Sequence, residues 1–180
     1  MILIKKLLLC VIFLFVWAAA SAQVEVARLQ SKGFSATGFG GFLNFGIPIT
    51  ETDAAIVEGG VYVFTDQGYH EAIAPVLVGW RHLITGTDNG FYVEPVAGYT
   101  FGATDIQLYD TNGNALYKAN GDQLDQKIAG IATGVGFGYL FEQSGPIRFN
   151  ISLRYEHTFE FSGNPALNII ALRLSHSFSF

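Results

Sequence analysis

The 180-residue sequence predicts an all-β chain: an eight-stranded antiparallel β-barrel that crosses a membrane through its strands. Three features point there. After residue 23 apolar residues recur at every second position, and no stretch repeats them at three and four over several turns as an amphipathic helix does. Connections alternate between short turns and longer loops, as in a barrel with one compact end and one elaborated end. Isolated ionisable residues sit deep within strands, opposite a near-continuous band of Val, Leu, Ile, Phe and Tyr.

The first element is not a strand. Lys5 and Lys6 precede an apolar run over 7–20 that closes with Ala20-Ser21-Ala22, the pattern of a cleavable secretory signal peptide spanning 1–22. That run holds 14 residues, too few for the ~20 a helix needs to cross a bilayer. Cys10 is a poor lipoprotein site, because the bulky Leu9 precedes it and the apolar run continues beyond. Cleavage after Ala22 leaves 23–180, one domain of 158 residues with neither Cys nor Met. Without a disulfide framework, backbone pairing and packing must hold the fold. Loss of Lys5 and Lys6 takes the formal charge from −5 to −7, which argues against nucleic acid as a partner.

Strands are expected near 24–30, 34–47, 54–65, 72–84, 90–104, 126–141, 146–160 and 166–180. The first begins Val24-Glu25-Val26 and is short; with it the count is even and both ends fall in one compartment. Short turns lie at 48–53, 85–89 and 142–146, and the opposite connections at 31–33, 66–71, 105–125 and 162–165. In 126–141, Gly134, Gly136 and Gly138 alternate with Val135, Phe137 and Tyr139. Glycine costs ~1 kcal/mol in a helix interior, so a strand with one glycine face is the better reading than a helix. Folding the next hairpin about Ser144 sets Gly134 opposite Arg154 and Gly138 opposite Asn150, leaving room for a long Arg. The seventh strand puts Phe149, Ile151, Leu153 and Tyr155 on one face and Asn150, Ser152, Arg154 and Glu156 on the other.

The sign of the alternation decides which face is inside. A soluble lipocalin-like binder hides its apolar face in the lumen, whereas an outer-membrane barrel turns it to lipid. Here Glu58, Arg81, Glu94, Arg148, Arg154, Glu156 and Arg173 share the polar face and are expected to form ion pairs across the lumen, Arg81 opposite Glu94. Such a filled lumen is not a general pore.

The last strand carries Leu172, Leu174, Phe178 and Phe180 on the apolar face, similar to the C-terminal signal read by the barrel assembly machinery. Together with Gly90-Phe91-Tyr92-Val93-Glu94-Pro95, Gly98-Tyr99, the glycine-rich 136–141 segment and Leu153-Arg154-Tyr155-Glu156, this resembles the bacterial outer membrane protein β-barrel domain family, of OmpA/OmpX-like architecture. The resemblance implies an outer-membrane location with both mature termini in the periplasm. The expected partners are outer-membrane lipid and, through the C-terminal strand, the assembly machinery; the expected role is envelope structure or surface interaction through the 105–125 loop.

Chemistry-bearing motifs are few. Small barrels of this kind include lipid A-modifying enzymes, so His157, with Glu156 and Ser162, is the candidate set for a lipid A deacylase. The expected nucleophile position two residues after His157 is Phe159, and Ser162 lies in the loop, so the spacing does not supply a nucleophile–base contact. Gly33-Phe34-Ser35-Ala36-Thr37-Gly38 is out of register for a nucleophile elbow. His70-Glu71 has no second His four residues on, and His82 and His176 stand apart, so no zinc site and no cofactor is expected. Asp110-Thr111-Asn112-Gly113-Asn114 opens like a calcium loop but has Ala115 and Gly121 where Gly and Glu belong. It reads better as a hairpin tip, with Tyr109, Tyr117 and Lys118 as candidate contacts for a surface partner.

Overall fold

The computed structural model describes residues 20–31, 34–66, 69–85, 89–107, 114–115, 117, 121, 125–141, 147–160 and 165–178. Eight strands close into one antiparallel barrel in sequential order, β1 (Ala20–Ser31), β2 (Phe34–Pro48), β3 (Asp53–Asp66), β4 (Tyr69–Leu83), β5 (Gly90–Gln107), β6 (Asp125–Leu140), β7 (Ile147–Thr158) and β8 (Leu167–Phe178). Closure leaves no open edge, so every strand is paired on both sides. β1 starts and β8 ends at the same rim, the turn end; the other rim is the loop end. β1 is longer than the alternation suggested, because Ala20–Ala22 already pair with Leu43–Phe45.

At the turn end, Ile49 and Thr50 donate backbone hydrogen bonds to the Asp53 carbonyl at 2.8 and 3.2 Å. The Asp53 carboxylate accepts from Thr50 at 2.7 Å, from Trp80 Nε1 at 2.9 Å and from His82 Nδ1 at 2.8 Å. The β4–β5 turn needs a glycine: Gly90 has φ of 121°, and a Cβ there would lie 2.1 Å from the Thr85 carbonyl oxygen. At the loop end, the β5–β6 ladder shifts register between Ala103 and Gln107. In the long connection above it, Ala115 and Tyr117 form isolated bridges.

The β6–β7 hairpin differs from its expected register. Gly136 lies opposite Arg154, and Gly134 and Gly138 oppose Glu156 and Ser152; Asn150 pairs with Leu140. The turn is therefore centred one residue later than Ser144, a slip of two residues that keeps every side chain on its expected face. Its advantage is electrostatic. Glu94, Gly136 and Arg154 now form one row across β5, β6 and β7, so the two charged side chains meet over a residue that has none.

The two faces differ as the alternation demands. Outside lies a belt that includes Phe39, Leu43, Val61, Val63, Val78, Ile131, Leu153, Leu172 and Leu174, all exposed. Aromatic residues flank it: Trp80, Phe91, Tyr139 and Phe141 towards the turn end, and Tyr99, Phe101 and Phe159 towards the loop end. Inside, the lumen has two layers. The loop half is apolar, a cluster of Leu29, Phe42, Tyr62, Phe64, Ile73, Ile128, Leu167 and Ile169 among others. Its aromatics pack in series, Phe42 edge-on to Tyr62 at 4.7 Å and Tyr62 tilted against Phe64 at 5.6 Å. The rest holds the charged and polar residues together with a second, smaller apolar cluster of Leu77, Val96 and Ala132.

Large lumen side chains lie over glycines, and the clearances differ. A Cβ on Gly60 would come within 2.4 Å of both the Gly41 carbonyl oxygen and the Phe42 ring, whereas one on Gly136 would meet nothing closer than 3.6 Å. Gly60→Ala is expected to cost about 1–3 kcal/mol through overpacking, and Gly136→Ala to be near neutral. Urea unfolding of both variants in lipid vesicles checks this, and equal midpoints would contradict the packing described.

Candidate functional site

Seven of the eight strands send a polar side chain into one connected network, and β6 contributes the space. Arg154 of β7 and Arg173 of β8, each almost fully buried, are its hubs. Arg154 Nη1 donates to Glu58 of β3 and, at 3.2 Å, to Glu156; its Nη2 donates to Glu94 of β5 at 2.5 Å. Arg173 Nε donates to Glu25 of β1 at 2.5 Å, while its two terminal nitrogens grip Glu58 at 2.7 and 3.0 Å. Arg81 of β4 donates through Nε to Glu94 at 2.7 Å. Tyr62 hydroxyl donates to Glu25 at 2.6 Å, and Asn44 of β2 donates to Glu58 at 3.0 Å.

The device that joins Glu94 to Arg154 recurs across the barrel. Glu25, Gly40 and Tyr62 form a row across β1, β2 and β3, and the Tyr62 hydroxyl reaches Glu25 over the glycine. Two guanidinium groups also lie against aromatic faces, Arg81 over Tyr92 at 4.7 Å and Arg173 over Phe42 at 5.7 Å. In a dry interior such a network is stable only when its lone pairs and protons are engaged. Here Glu58 and Glu94 are each engaged by more than one Arg, and Glu156 is held only by Arg154 among the contacts described.

The structure thus brings Glu58, Arg81, Glu94, Arg154, Glu156 and Arg173 together in the lumen. The side chain of Arg148 lies outside the described residues, as do Tyr109, Lys118, Ser162, Phe180 and the side chain of Phe178. Leu174 faces outward on β8, and Tyr117 is exposed above the loop end. Glu25, Tyr62 and Asn44 belong to the network as well, although the sequence did not single them out as lumen partners. Their signal was present as parity, since Val24-Glu25-Val26 alternates and Tyr62 shares the face of Glu58.

The hydrolase candidates are separated by the strand itself. Glu156 is buried against Arg154 in the lumen, while its neighbour His157 points to the outer face, because successive strand residues face opposite ways. His157 instead meets Asn168 Oδ1 through Nδ1 at 2.9 Å and packs edge-on to Phe159 at 4.6 Å. Glu156 therefore does not orient His157. Among the described residues, no group of three His, Cys, Asp or Glu comes together as metal ligands.

No protein-family model and no curated protein matches the sequence. Solved structures do match in fold. Neisserial surface protein A is 15% identical with a TM-score of 0.65, over 88% of this chain and 96% of that one. Ail, the attachment invasion locus protein of Yersinia pestis, is 14% identical with a TM-score of 0.58, over 89% and 96%. Its complex with the heparin analogue sucrose octasulfate matches at 13% identity and a TM-score of 0.53 over the same shares. At such identities the likeness is one of architecture: the chain has the fold of the small eight-stranded outer-membrane β-barrels.

Proposed function

We propose that the protein is a non-enzymatic barrel of the outer membrane. It is exported by a cleavable signal peptide and placed with its turn end and mature termini in the periplasm. Its role is envelope structure or surface contact through the loops, the 105–125 connection foremost. The observation that carries this reading is the inversion of the two faces, with a belt of exposed Val, Leu, Ile and Phe outside and buried Arg–Glu pairs inside. A lipocalin-like binder needs the reverse. A lumen occupied by Arg154, Arg173, Tyr62, Tyr92 and Phe64 argues for a scaffold rather than a channel. Insertion would use the last strand, with Leu174 outward, as the contact for the barrel assembly machinery, and lipid would cover the belt.

The barrel is expected to stay folded in unboiled SDS gels and to change mobility on boiling. It is also expected in the outer-membrane fraction of expressing cells. Identical mobility together with protein in the soluble periplasmic fraction would overturn the reading. Unchanged lipid A mass spectra on expression are expected as well; loss of an acyl chain that His157→Ala restores would show an enzyme.

A further inference from the structure

Glu71, the third residue of β4, points into the lumen at the loop end and is only 5% exposed. It lies opposite Phe64 on β3 and Thr104 on β5. Phe64, and Ile73 one inward position deeper on β4, belong to the apolar cluster and are fully buried. Glu71 thus stands on top of the apolar half of the lumen, at the opposite end of β4 from Arg81. Its Oε2 is buried without a hydrogen-bond partner among the described residues. An acid in such a place is costly when ionised, because nothing replaces the water it has lost.

The described groups around it are apolar or already engaged. At this end β1, β2, β6 and β8 supply Leu29, Ala36, Ile128 and Leu167. β7 supplies Thr158, with Glu156 one inward position deeper against Arg154. On the flanking strands Tyr62 gives its hydroxyl to Glu25 and Tyr92 to Asn150, while Glu58 and Glu94 are held by arginines. The side chains of Asp66, Thr104, Asp105 and Asp125 lie outside the described residues. His70, next to Glu71, faces outward and shares a 3.1 Å hydrogen bond with Thr65. Ala74, three residues turnward of Glu71, pairs with Phe101 of the loop-end aromatic flank, so Glu71 lies outside the membrane-spanning part of β4. Burial alone pushes its carboxyl from 4.5 up to about 7.

We propose that Glu71 is a proton-operated latch at the loop end of the lumen. Neutral, it packs over the apolar cluster; ionised, it leaves that packing, and the loop ends of β3 and β4 part. The folded lumen binds this proton more tightly than an opened one does. The stabilisation is therefore complete below about 4.5 and is lost as the pH rises through about 7. The rim that carries the proposed surface contacts is thus held tightest in acid. The latch requires only the packed lumen, and it holds whichever medium surrounds the belt.

Hydrogen exchange of the folded barrel in detergent micelles, followed residue by residue by NMR and corrected for intrinsic exchange, tests the proposal. Between about pH 5 and about pH 8, amide protection over 63–65 and 71–73 is expected to fall roughly tenfold or more. Val57 and Val78, paired in the turn half of the same two strands, are expected to keep theirs. In Glu71→Gln, which keeps the shape without the charge, protection over 63–65 and 71–73 is expected to hold at both pH values. His70→Gln is expected to leave the fall intact, because His70 faces away from the lumen. A smaller fall in the wild type, a fall that persists in Glu71→Gln, one abolished in His70→Gln, or an equal fall at Val57 and Val78 would each overturn it.

Discussion

Arg154→Met is expected to lower the unfolding free energy of the barrel by about 3–5 kcal/mol, the cost of leaving buried charge without its partner. The three carboxylates that Arg154 contacts do not lose equally. Glu58 keeps both terminal nitrogens of Arg173, and Glu94 keeps Arg81 at 2.7 Å. Glu156 keeps no described partner, because its contact is the 3.2 Å bond to Arg154. Glu156→Gln in the Arg154→Met background is thus expected to restore about 1–3 kcal/mol, the penalty of one unsatisfied buried group. Glu58→Gln in that background is expected to destabilise further, since it also weakens the grip of Arg173. Alone, Glu156→Gln is expected to lie close to wild type, because among the described residues the network holds four carboxylates against three guanidinium groups. Urea titration of the barrel refolded in lipid vesicles measures all four variants. If Arg154→Met unfolds within 1 kcal/mol of wild type, or Glu58→Gln rescues it better than Glu156→Gln, the network is not organised as described.

Strands and faces were legible in the sequence because period two is a property of the backbone, and lipid on one side with a packed lumen on the other keeps it strict. Leu153 and Arg154 could be assigned to opposite faces without any structure. Register was harder. Sliding β7 by two residues preserves every face, so hydrophobicity alone could not tell Gly134 from Gly136 as the partner of Arg154. The choice depends on where Glu94 sits on the far side of β6, which is a relation among three strands. Lumen content was legible only in part. Reading apolar residues as outward works for Val61 and Val63, yet Tyr62 and Phe64 turn inward between and beside them. They fit because Gly38, Gly40 and Gly60 leave space for their rings or for the Phe42 ring packed against them, and that complementarity spans β2 and β3. The lumen role of Glu25 was not legible, because the strand that bears it is anchored by neighbours on both sides rather than by a long pattern of its own.

Leu153→Arg is expected to destabilise the barrel by about 2–4 kcal/mol, the cost of an arginine on the lipid face near the bilayer midplane. Ile47→Arg is the matched comparison. The two native side chains are equally open, at 57% and 58% exposure, and both face outward on strands. They differ in depth: Leu153 lies mid-strand on β7, whereas Ile47 is next to the last residue of β2 at the turn end. There the guanidinium can reach headgroups and water, so about 0–1 kcal/mol is expected. Were the outer face in contact with water instead, both substitutions would replace an exposed aliphatic group by a solvated cation and neither would cost much. The contrast therefore reports the medium around the barrel, independently of how well the lumen packs. Equal and small effects in vesicle unfolding would place the belt in water and remove lipid as its partner. A large penalty at Ile47 with a small one at Leu153 would move the bilayer towards the turn end and leave the aromatic residues at the loop end outside it.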